Sequence, residues 1–235
     1  MSGGIGTTSL FVVPTPIGNL EDITLRAIRI LGEVDEILAE DTRVTQKLLR
    51  HLGISTPLRS FHAYNEHIRV AGLVEEMLGG KRMALVSDAG TPGISDPCYS
   101  LIQGCIAGGL GITCLPGPTA LIPALVLSGL AMSSFVFLGF PPRKGKRYWE
   151  DLLSETRTMI IYESPHRLAK TLNVLTSFFP AERRIAVLRE LSKLYEEVYR
   201  GTVADLCDHF SQTQVRGELV IVLEGKPKSS RTPTQ

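Results

Sequence analysis

Short apolar runs and helically spaced apolar residues alternate five times between residues 10 and 127, and this alternation constrains the fold more than any single motif. The runs are bounded by charged residues, glycine or proline, which is typical of buried strands. Strands that alternate with helices usually form a parallel sheet with the helices packed on it. The sequence therefore predicts an α/β domain with a mainly parallel, five-stranded sheet. Its predicted strands are Leu10–Val13, Val34–Ala39, Leu58–Phe61, Met83–Ser87 and Gly111–Leu115.

Glycine, proline, hydroxyl and acidic residues follow the carboxyl ends of these strands. In Asp88–Gly93, two glycines allow a ligand to approach the backbone closely. Pro14–Asn19, Glu40–Arg43 and Pro116–Thr119 follow other strands in the same way. Because the carboxyl ends of parallel strands meet at one edge of a sheet, we expect these loops to lie together. Such a rim suits main-chain hydrogen bonds to a polar small molecule, with an apolar slot for a flat ring.

A second α/β set follows a predicted linker at residues 128–134. Two units of this size fit the usual scale of domains. The predicted organisation is a flexible N-terminus at 1–9, an N-terminal domain at 10–127, a C-terminal domain at 135–225 and a disordered tail at 226–235. Within the first domain, Asp96 and Pro97 have the residue types of an N-cap and a first helical position, which predicts a helix from there to Ile106.

Several common catalytic signatures are absent from the sequence. It has no GxxxxGK[ST] loop, no GxGxxG turn after the first strand and no GxSxG elbow. Histidine and cysteine are too scattered for a zinc site, so we expect no metal. Cys98, Cys105, Cys114 and Cys207 show no pairing pattern, which favours small buried residues in a reducing compartment.

No segment has the pattern of a signal peptide or of a membrane span. The longest apolar run, Ala120–Leu127, contains Pro123 and is much shorter than a span. We therefore expect a cytoplasmic protein without membrane association. The formal net charge of +1 gives no general attraction to nucleic acid, so an RNA-binding role has to rest on a local basic patch.

Seven motifs, in order between Leu10 and Gly225, resemble one family. It is the ribosomal RNA small-subunit methyltransferase I family, within the tetrapyrrole-methylase-like, S-adenosylmethionine-dependent superfamily. The motifs are TPIGNLEDIT (Thr15–Thr24), AEDTR (Ala39–Arg43), LVSDAGTPGISDP (Leu85–Pro97), LPGPTA (Leu115–Ala120), YESPHR (Tyr162–Arg167), RELSK (Arg189–Lys193) and RGELVIVLEG (Arg216–Gly225).

The resemblance implies a fold, a reaction and partners. The fold is two α/β domains, the second with a mixed sheet, and S-adenosylmethionine bound in a cleft between them. The reaction is methylation of a ribose 2′-hydroxyl of a cytidine in small-subunit (16S) ribosomal RNA near the decoding centre. The substrate is ribosomal RNA or the assembled small subunit, and the enzyme is a homodimer. Cys98 departs from a usual glycine, and the chain ends before a C-terminal extension found in many members, which is expected to weaken RNA binding only.

The resemblance also assigns cofactor-binding residues, motif by motif. Their small size is suited to main-chain contacts with the methionine part, while Ile17, Ile94, Ala120 and Leu191 can sandwich adenine; for each of these, a role in the core is the alternative. The assigned residues are Pro16, Ile17, Asp88, Ala89, Gly90, Thr91, Pro92, Ile94, Thr119, Ala120, Glu163, Ser164, Leu191, Gly217 and Glu218.

No catalytic residue can be singled out from the sequence. A ribose hydroxyl is a poor nucleophile and gains from a base or from stabilisation of the developing alkoxide. Lys193 needs a depressed pKa to be a base, which only burial provides, but it can help as a cation. Each candidate has an ion pair or an RNA contact as its alternative role. The candidates are Glu40, Asp41, Asn65, Glu66, Glu163, Glu190 and Lys193.

Four positive charges in five residues, at Arg143, Lys144, Lys146 and Arg147, form a local basic patch. It can grip RNA phosphates while the adjoining Tyr148 or Trp149 stacks on a base. Positive charge at the start of a helix opposes the macrodipole, which favours a function over a solvated helix start. The other candidate RNA-binding residues are Arg43, Arg167 and Arg189.

Two alternatives to an RNA methyltransferase stay open at this point. One is a methylase of another substrate on the same fold, such as a tetrapyrrole or a protein. The other is a non-catalytic RNA-binding or assembly protein. Binding of S-adenosylmethionine separates the second alternative from an enzyme, and methyl transfer to small subunits separates the first.

Overall fold

The computed structural model describes residues 8–62, 66–94, 98–213 and 215–227, with the side chains of 66–68 excepted. The chain divides into two compact units, Met1–Thr119 and Ala120–Gln235. The predicted flexible N-terminus and disordered tail fall largely outside the described residues.

Unit 1 is built on a parallel sheet of five strands in the order β3-β2-β4-β1-β5. The mainly parallel sheet expected from the sequence is therefore confirmed. Its elements are β1 (Thr8–Val12), α1 (Leu25–Glu33), β2 (Glu36–Ala39), α2 (Thr42–Leu52), β3 (Leu58–Ser60), α3 (Glu66–Leu78), β4 (Met83–Val86), α4 (Tyr99–Ala107) and β5 (Gly111–Cys114).

The central strand β4 is a continuous apolar run because both faces of the sheet are covered there. In β4, Ala84 and Val86 pack with Leu49 and the apolar residues of α1. Met83 and Leu85 point to the opposite face, where they pack with the apolar residues of α3 and α4. Because β4 lies between β2 and β1, its carboxyl end is surrounded by the carboxyl ends of its neighbours.

Unit 2 contains a mixed sheet in the order β6-β7-β10-β8-β9, as the resemblance implies. Only β6 and β7 are parallel; the other pairs are antiparallel. Its elements are α5 (Leu121–Ser128), β6 (Phe135–Gly139), α6 (Lys146–Leu152), β7 (Thr158–Glu163), α7 (Leu168–Phe178), β8 (Arg184–Arg189), β9 (Glu197–Thr202), α8 (Val203–Ser211) and β10 (Leu219–Leu223).

The division between the units differs from the predicted linker at 128–134. It falls after Thr119, so α5 belongs to unit 2, where it packs on β8, β9 and β10. The hydroxyl of Ser128, which is buried, donates to the Leu125 carbonyl at 2.7 Å and accepts from the amide of Leu130 at 3.1 Å. This bonding ends α5 in an ordered turn.

Two local expectations also differ from the structure. Helix α4 begins at Tyr99 with Cys98 at the N-cap and no side-chain cap bond; Asp96 and Pro97, expected at its start, lie outside the described residues. Cys98 and Cys105 are buried as expected, but Cys114 is exposed because β5 is an edge strand. Within the described residues, no helix is long and apolar enough to cross a membrane.

A charge network ties the amino-terminal side of the unit 1 sheet together. The guanidinium of Arg59 contacts Glu36 at 2.6 Å and Glu76 at 2.7 Å. The ammonium of Lys81 contacts the same two carboxylates at 2.9 and 2.8 Å. Hydrogen bonds from Arg59 and then Lys81 lower the pKa of Glu76 to about 2. These bonds link β2, β3, α3 and the entry to β4.

We predict that Glu76→Gln flattens the acid dependence of stability. Because the folded-state pKa of Glu76 is depressed, its ion pairs stabilise the fold above about pH 5 and are lost as the pH falls towards about 2. Scanning calorimetry across this range should show a smaller fall in melting temperature for the variant than for the wild type. Glu33→Gln, which removes only the exposed pair with Arg29, is the control. Identical pH slopes for wild type and Glu76→Gln would contradict the assignment.

Candidate functional site

A backbone bridge joins the loops that follow β1 and β4. The amides and carbonyls of Thr15 and Gly90 exchange two hydrogen bonds, each 2.9 Å long. Gly90 adopts a left-handed conformation with φ of +81°, which favours glycine. The hydroxyl of Thr15, which is 2% exposed, donates to the carbonyl of Ser87 at 3.0 Å. The two loops are therefore fixed to each other by main-chain geometry.

The loop after β5 joins the same edge. The hydroxyl of Thr91 donates to the carbonyl of Pro118 at 2.9 Å. Gly117 faces Pro14 so closely that an added Cβ would lie 2.7 Å from the proline ring. Three loops that are far apart in the sequence thus meet at the carboxyl edge of unit 1, as expected for a parallel sheet.

The loop after β2 reaches this edge through Asp88. Its carboxylate accepts a hydrogen bond from the amide of Asp41 at 3.0 Å. The side chain of Asp41 is itself bonded by the guanidinium of Arg43, at 2.7 and 3.1 Å. That hydrogen bond, together with the backbone amide of Arg43, lowers the pKa of Asp41 to about 2. Asp41 is therefore a poor proton acceptor at neutral pH.

The unit 1 residues assigned to the cofactor lie on these joined loops. Asp88 and Ala89 are exposed, Ile94 is 39% exposed, and Ile17 is half-buried. Gly90 and Pro92 are buried beneath them. The nearest atom to an added Cβ at Gly90 is Cγ2 of Ile17, at 3.4 Å. The loops thus present a mixed polar and apolar surface that a larger residue at Gly90 would disturb.

In unit 2, three strand ends lie side by side. Leu219, at the start of β10, pairs with Glu163 at the end of β7 and with Arg189 at the end of β8. The assigned residues Glu163, Ser164, Leu191, Gly217 and Glu218 therefore gather at one edge of the second sheet. Thr119 and Ala120 are half-buried where the chain passes from one unit to the next.

Glu163 is a buried anchor rather than an open ligand. Its residue is 2% exposed. One carboxylate oxygen accepts from the amide of Ser164 at 2.8 Å, and the other accepts from the hydroxyl of Thr171 at 2.5 Å. The guanidinium of Arg167 lies 3.5 Å from it and also donates to the Pro141 carbonyl at 2.8 Å. Glu163 and Arg167 thus hold the turn between β7 and α7.

The turn after β8 is held by a second carboxylate. An oxygen of Glu190 accepts from Lys193 Nζ and from the amide of Glu218, both at 2.9 Å. Both Glu190 and Ser192 have positive φ, at +51° and +65°. Gly217, with φ of +90°, leaves the space that the Glu190 carboxylate fills.

The charges in this turn stabilise each other. Burial lowers the pKa of Lys193, but hydrogen bonds to Glu190 and Glu218 outweigh it and raise the pKa above its ordinary value. Burial likewise raises the pKa of Glu190, and its bonds to Lys193 and the Glu218 amide outweigh that and lower it. The depressed pKa that a lysine base needs is therefore absent, and Lys193 is a cation here.

The candidate RNA-binding arginines differ in how strongly their guanidinium groups are bonded within the protein and in how exposed they are. Arg189 donates to the carbonyl of Arg216 at 2.7 Å and pairs with Glu197 at 2.7 Å, so its guanidinium holds β8, β9 and the approach to β10. Arg43 keeps most of its side chain exposed, at 87%, despite its bond to Asp41. Of these two, Arg43 is the more accessible to RNA.

The basic patch is exposed, but its aromatic neighbour is not. Arg143, Lys144, Lys146 and Arg147 are all exposed around the start of α6. Trp149, in contrast, is 5% exposed and packs in the core of unit 2. The expectation that Trp149 stacks on a base is therefore wrong, because its ring faces the sheet from α6.

The three remaining catalytic candidates are Glu40, Asn65 and Glu66. Asn65 lies outside the described residues, as does the side chain of Glu66. Glu40 is half-buried at the end of β2. Where the structure describes the chain, no group of three or more His, Cys, Asp or Glu side chains is arranged to hold a metal ion.

Two residues that hold this geometry, Thr15 and Thr171, are not among the candidates that the sequence indicates. Thr15 bridges the first two loops, and its position between two prolines after a strand was an available signal. Thr171 bonds Glu163 from one turn inside α7, and nothing in the sequence pattern indicated that contact.

Comparison with known proteins gives consistent matches. The profile of the family described as "Tetrapyrrole (Corrin/Porphyrin) Methylases" matches residues 9–207. Proteins named "Ribosomal RNA small subunit methyltransferase I" are 45% identical in Synechocystis sp. and 43% identical in Thermotoga maritima. The first match covers 94% of this chain and 81% of the relative; the second covers 92% and 98%.

Two solved structures share the fold. The uroporphyrin-III-C-methyltransferase from Thermus thermophilus has a TM-score of 0.65 at 21% identity, covering 91% of this chain and 93% of that one. The methyltransferase CobJ has a TM-score of 0.70 at 18% identity, covering 93% and 94%. At these identities the likeness shows the fold alone.

We predict that Gly217→Ala lowers the free energy of unfolding by more than the strain of placing alanine at a positive φ accounts for. A Cβ at this position would lie 2.5 Å from the Glu190 carboxylate, so the carboxylate must move and lose its bonds. The free energy of unfolding should fall by about 2–3 kcal/mol in denaturant titrations. Gly139→Ala is the matched control, since Gly139 also has positive φ (+62°) but no atom near an added Cβ. Equal losses for both variants would show that the Glu190 contact contributes nothing.

Proposed function

The chain belongs to the tetrapyrrole methylase family, and within it to the ribosomal RNA small-subunit methyltransferase I family, and on that premise we propose that it methylates a ribose 2′-hydroxyl of a cytidine in small-subunit ribosomal RNA near the decoding centre. S-Adenosylmethionine is the proposed methyl donor. Ribosomal RNA, free or in the assembled small subunit, is the proposed substrate, and a cytoplasmic homodimer is the proposed form of the enzyme.

The joined loops of unit 1 are the structural observation that carries this proposal. The Thr15–Gly90 bridge and the Thr91–Pro118 hydrogen bond bring three of the family-like motifs to one sheet edge. The left-handed Gly90 closes the bridge and leaves Asp88 and Ala89 exposed above it. A glycine in this conformation also serves an ordinary turn, so it is the meeting of three such loops at one edge that favours a ligand site.

The residues present fit S-adenosylmethionine. When bound, this cofactor supplies a methyl group on a positively charged sulfur, which is already activated for transfer. Main-chain atoms of the exposed Asp88 and Ala89 would hold its methionine part, and Ile17 and Ile94 would contact its adenine. The exposure of Asp88 and Ala89 above the buried Gly90 supports this fit, because the joined loops present main-chain atoms at their surface. In unit 2, Ser164, Leu191 and Gly217 are the proposed contacts.

The protein's contribution to the rate is proposed to be positioning and charge. Positioning two reactants in line can supply a large part of a barrier reduction. Asp41, Glu163 and Glu190 are poor candidates for the base because each carboxylate is already held by hydrogen bonds. Lys193, as a cation, can stabilise a developing alkoxide without accepting a proton.

Methyl transfer to ribosomal particles tests the activity directly. The wild-type protein should transfer labelled methyl from S-adenosylmethionine to purified small subunits. Resistance of the phosphodiester bond after one cytidine to alkaline cleavage should locate the methyl group on the ribose 2′-oxygen. Transfer to a porphyrin precursor instead would support the alternative methylase. Absence of S-adenosylmethionine uptake in calorimetry would support a non-catalytic RNA-binding protein. Sedimentation of the purified protein tests the dimer.

We predict that Gly90→Val abolishes S-adenosylmethionine binding and leaves the fold intact. A branched side chain strains a residue with φ of +81° and pushes against Ile17. Calorimetric titration should therefore show no measurable uptake, while circular dichroism stays native. Gly53→Val is the control, because Gly53 has a similar φ of +69° but follows the far end of α2. Wild-type affinity in Gly90→Val would refute the loop assignment.

A further inference from the structure

Unit 2 contains a cavity of about 610 Å³ between the start of α6 and one face of α7 along its length, from Lys170 to Phe178. Its size lies in the range of small-molecule sites. The α6 side supplies the exposed basic patch, and the α7 side supplies residues that follow Glu163. The cavity therefore lies where the patch meets the turn that Glu163 anchors.

Positive charge dominates the walls of this cavity. Arg143, Lys146, Arg167 and Lys170 line it together with His166, and its lining includes no Asp or Glu. Lys146 has only a loose contact with Glu150, at 3.6 Å. Across the described ranges, no carboxylate lies within ion-pair distance of Arg143 or Lys170. Arg167 is paired with Glu163 at 3.5 Å, so Arg143 and Lys170 carry most of the uncompensated charge, which attracts an anion.

The apolar residues of the lining are together called the floor of the cavity, and the charged ones its walls. Trp149, Val174 and Phe178 line it. Trp149 is buried in the core, whereas Phe178 is half-buried and only packs against that core. A flat ring placed in the cavity would therefore meet Phe178 and Val174 rather than the indole.

We propose that this cavity binds one unpaired nucleotide of the RNA substrate, with its phosphate on Arg143 and Lys170 and its base on Phe178. The inference rests on the proposed function, since it names how that substrate is held. Cationic walls over an apolar floor match the two halves of a nucleotide, and base stacking on aromatic side chains is the usual mode of single-strand binding. An inorganic anion would use the walls but not the floor.

The charge half of this proposal is tested with Lys170→Glu. Binding of a fluorescein-labelled, unstructured oligoribonucleotide to the full-length chain is followed by anisotropy at several salt concentrations. The variant should bind about tenfold more weakly at low salt. The magnitude of the negative slope of log affinity against log salt should be smaller by about 1. Arg50→Glu is the control, since Arg50 is an exposed cation at the far end of α2 in unit 1, away from the candidate RNA-binding residues, and should stay near wild type. Equal losses in both variants would overturn the site.

The base half is tested by competition. Cytidine monophosphate should displace the oligoribonucleotide at concentrations where inorganic phosphate does not. Phe178→Leu, which keeps apolar volume but removes the ring, should remove most of this advantage. Displacement by phosphate as effective as by the nucleotide would overturn the proposal in favour of a simple anion site.

A kinetic experiment separates this inference from the proposed function. With small ribosomal subunits as substrate, Lys170→Glu should raise KM for the subunits and leave KM for S-adenosylmethionine unchanged. An unchanged KM for subunits, with methyl transfer intact, would overturn the cavity assignment and leave the function standing. A raised KM for S-adenosylmethionine would overturn it by assigning the cavity to the cofactor. If the wild-type protein transfers no methyl group to the subunits, the proposed function itself is refuted.

Discussion

The paired hydrogen bonds between Thr15 and Gly90 are the constraint on which the candidate site depends. β1 and β4 are neighbours in a parallel sheet, so their chains leave the same edge and could diverge into separate loops. The bridge prevents this, and it forms only because Gly90 adopts a left-handed conformation. Once these loops are joined, the hydroxyl of Thr91 can reach Pro118 and bring in the third. A surface built in this way consists mainly of backbone, which is suited to a small polar ligand.

In unit 2, side-chain carboxylates rather than a backbone bridge hold the turns at the edge of the sheet where β7 and β8 end. Buried or half-buried carboxylates there, at Glu163 and Glu190, accept hydrogen bonds from neighbouring amides and side chains. Such groups cost free energy if left unpaired, so their bonding fixes the turns around them. It also removes them from acid–base chemistry. The methyl donor is already activated, but the ribose hydroxyl must still lose its proton during the proposed reaction, so that proton has to go to a group other than these two carboxylates.

The strand pattern was readable from the sequence because buried parallel strands leave continuous apolar runs, as in Met83–Val86. The loops were readable because glycine and proline mark the turns that follow such strands. Side-chain direction was harder to infer. The basic segment before α6 correctly indicated exposed charge, but only the packing of α6 on the sheet shows that Trp149 faces inwards. Likewise, α5 is apolar on all sides, so its sequence fits either unit, and its packing on β8–β10 decides.

The most direct measurement of the central claim is hydrogen–deuterium exchange with and without S-adenosylmethionine. If the joined loops hold the cofactor, amides in the segments 14–19, 87–94 and 116–120 should all exchange more slowly in its presence, since they become hydrogen-bonded or shielded together. Protection confined to other parts of the chain, with these three segments unchanged, would contradict the account.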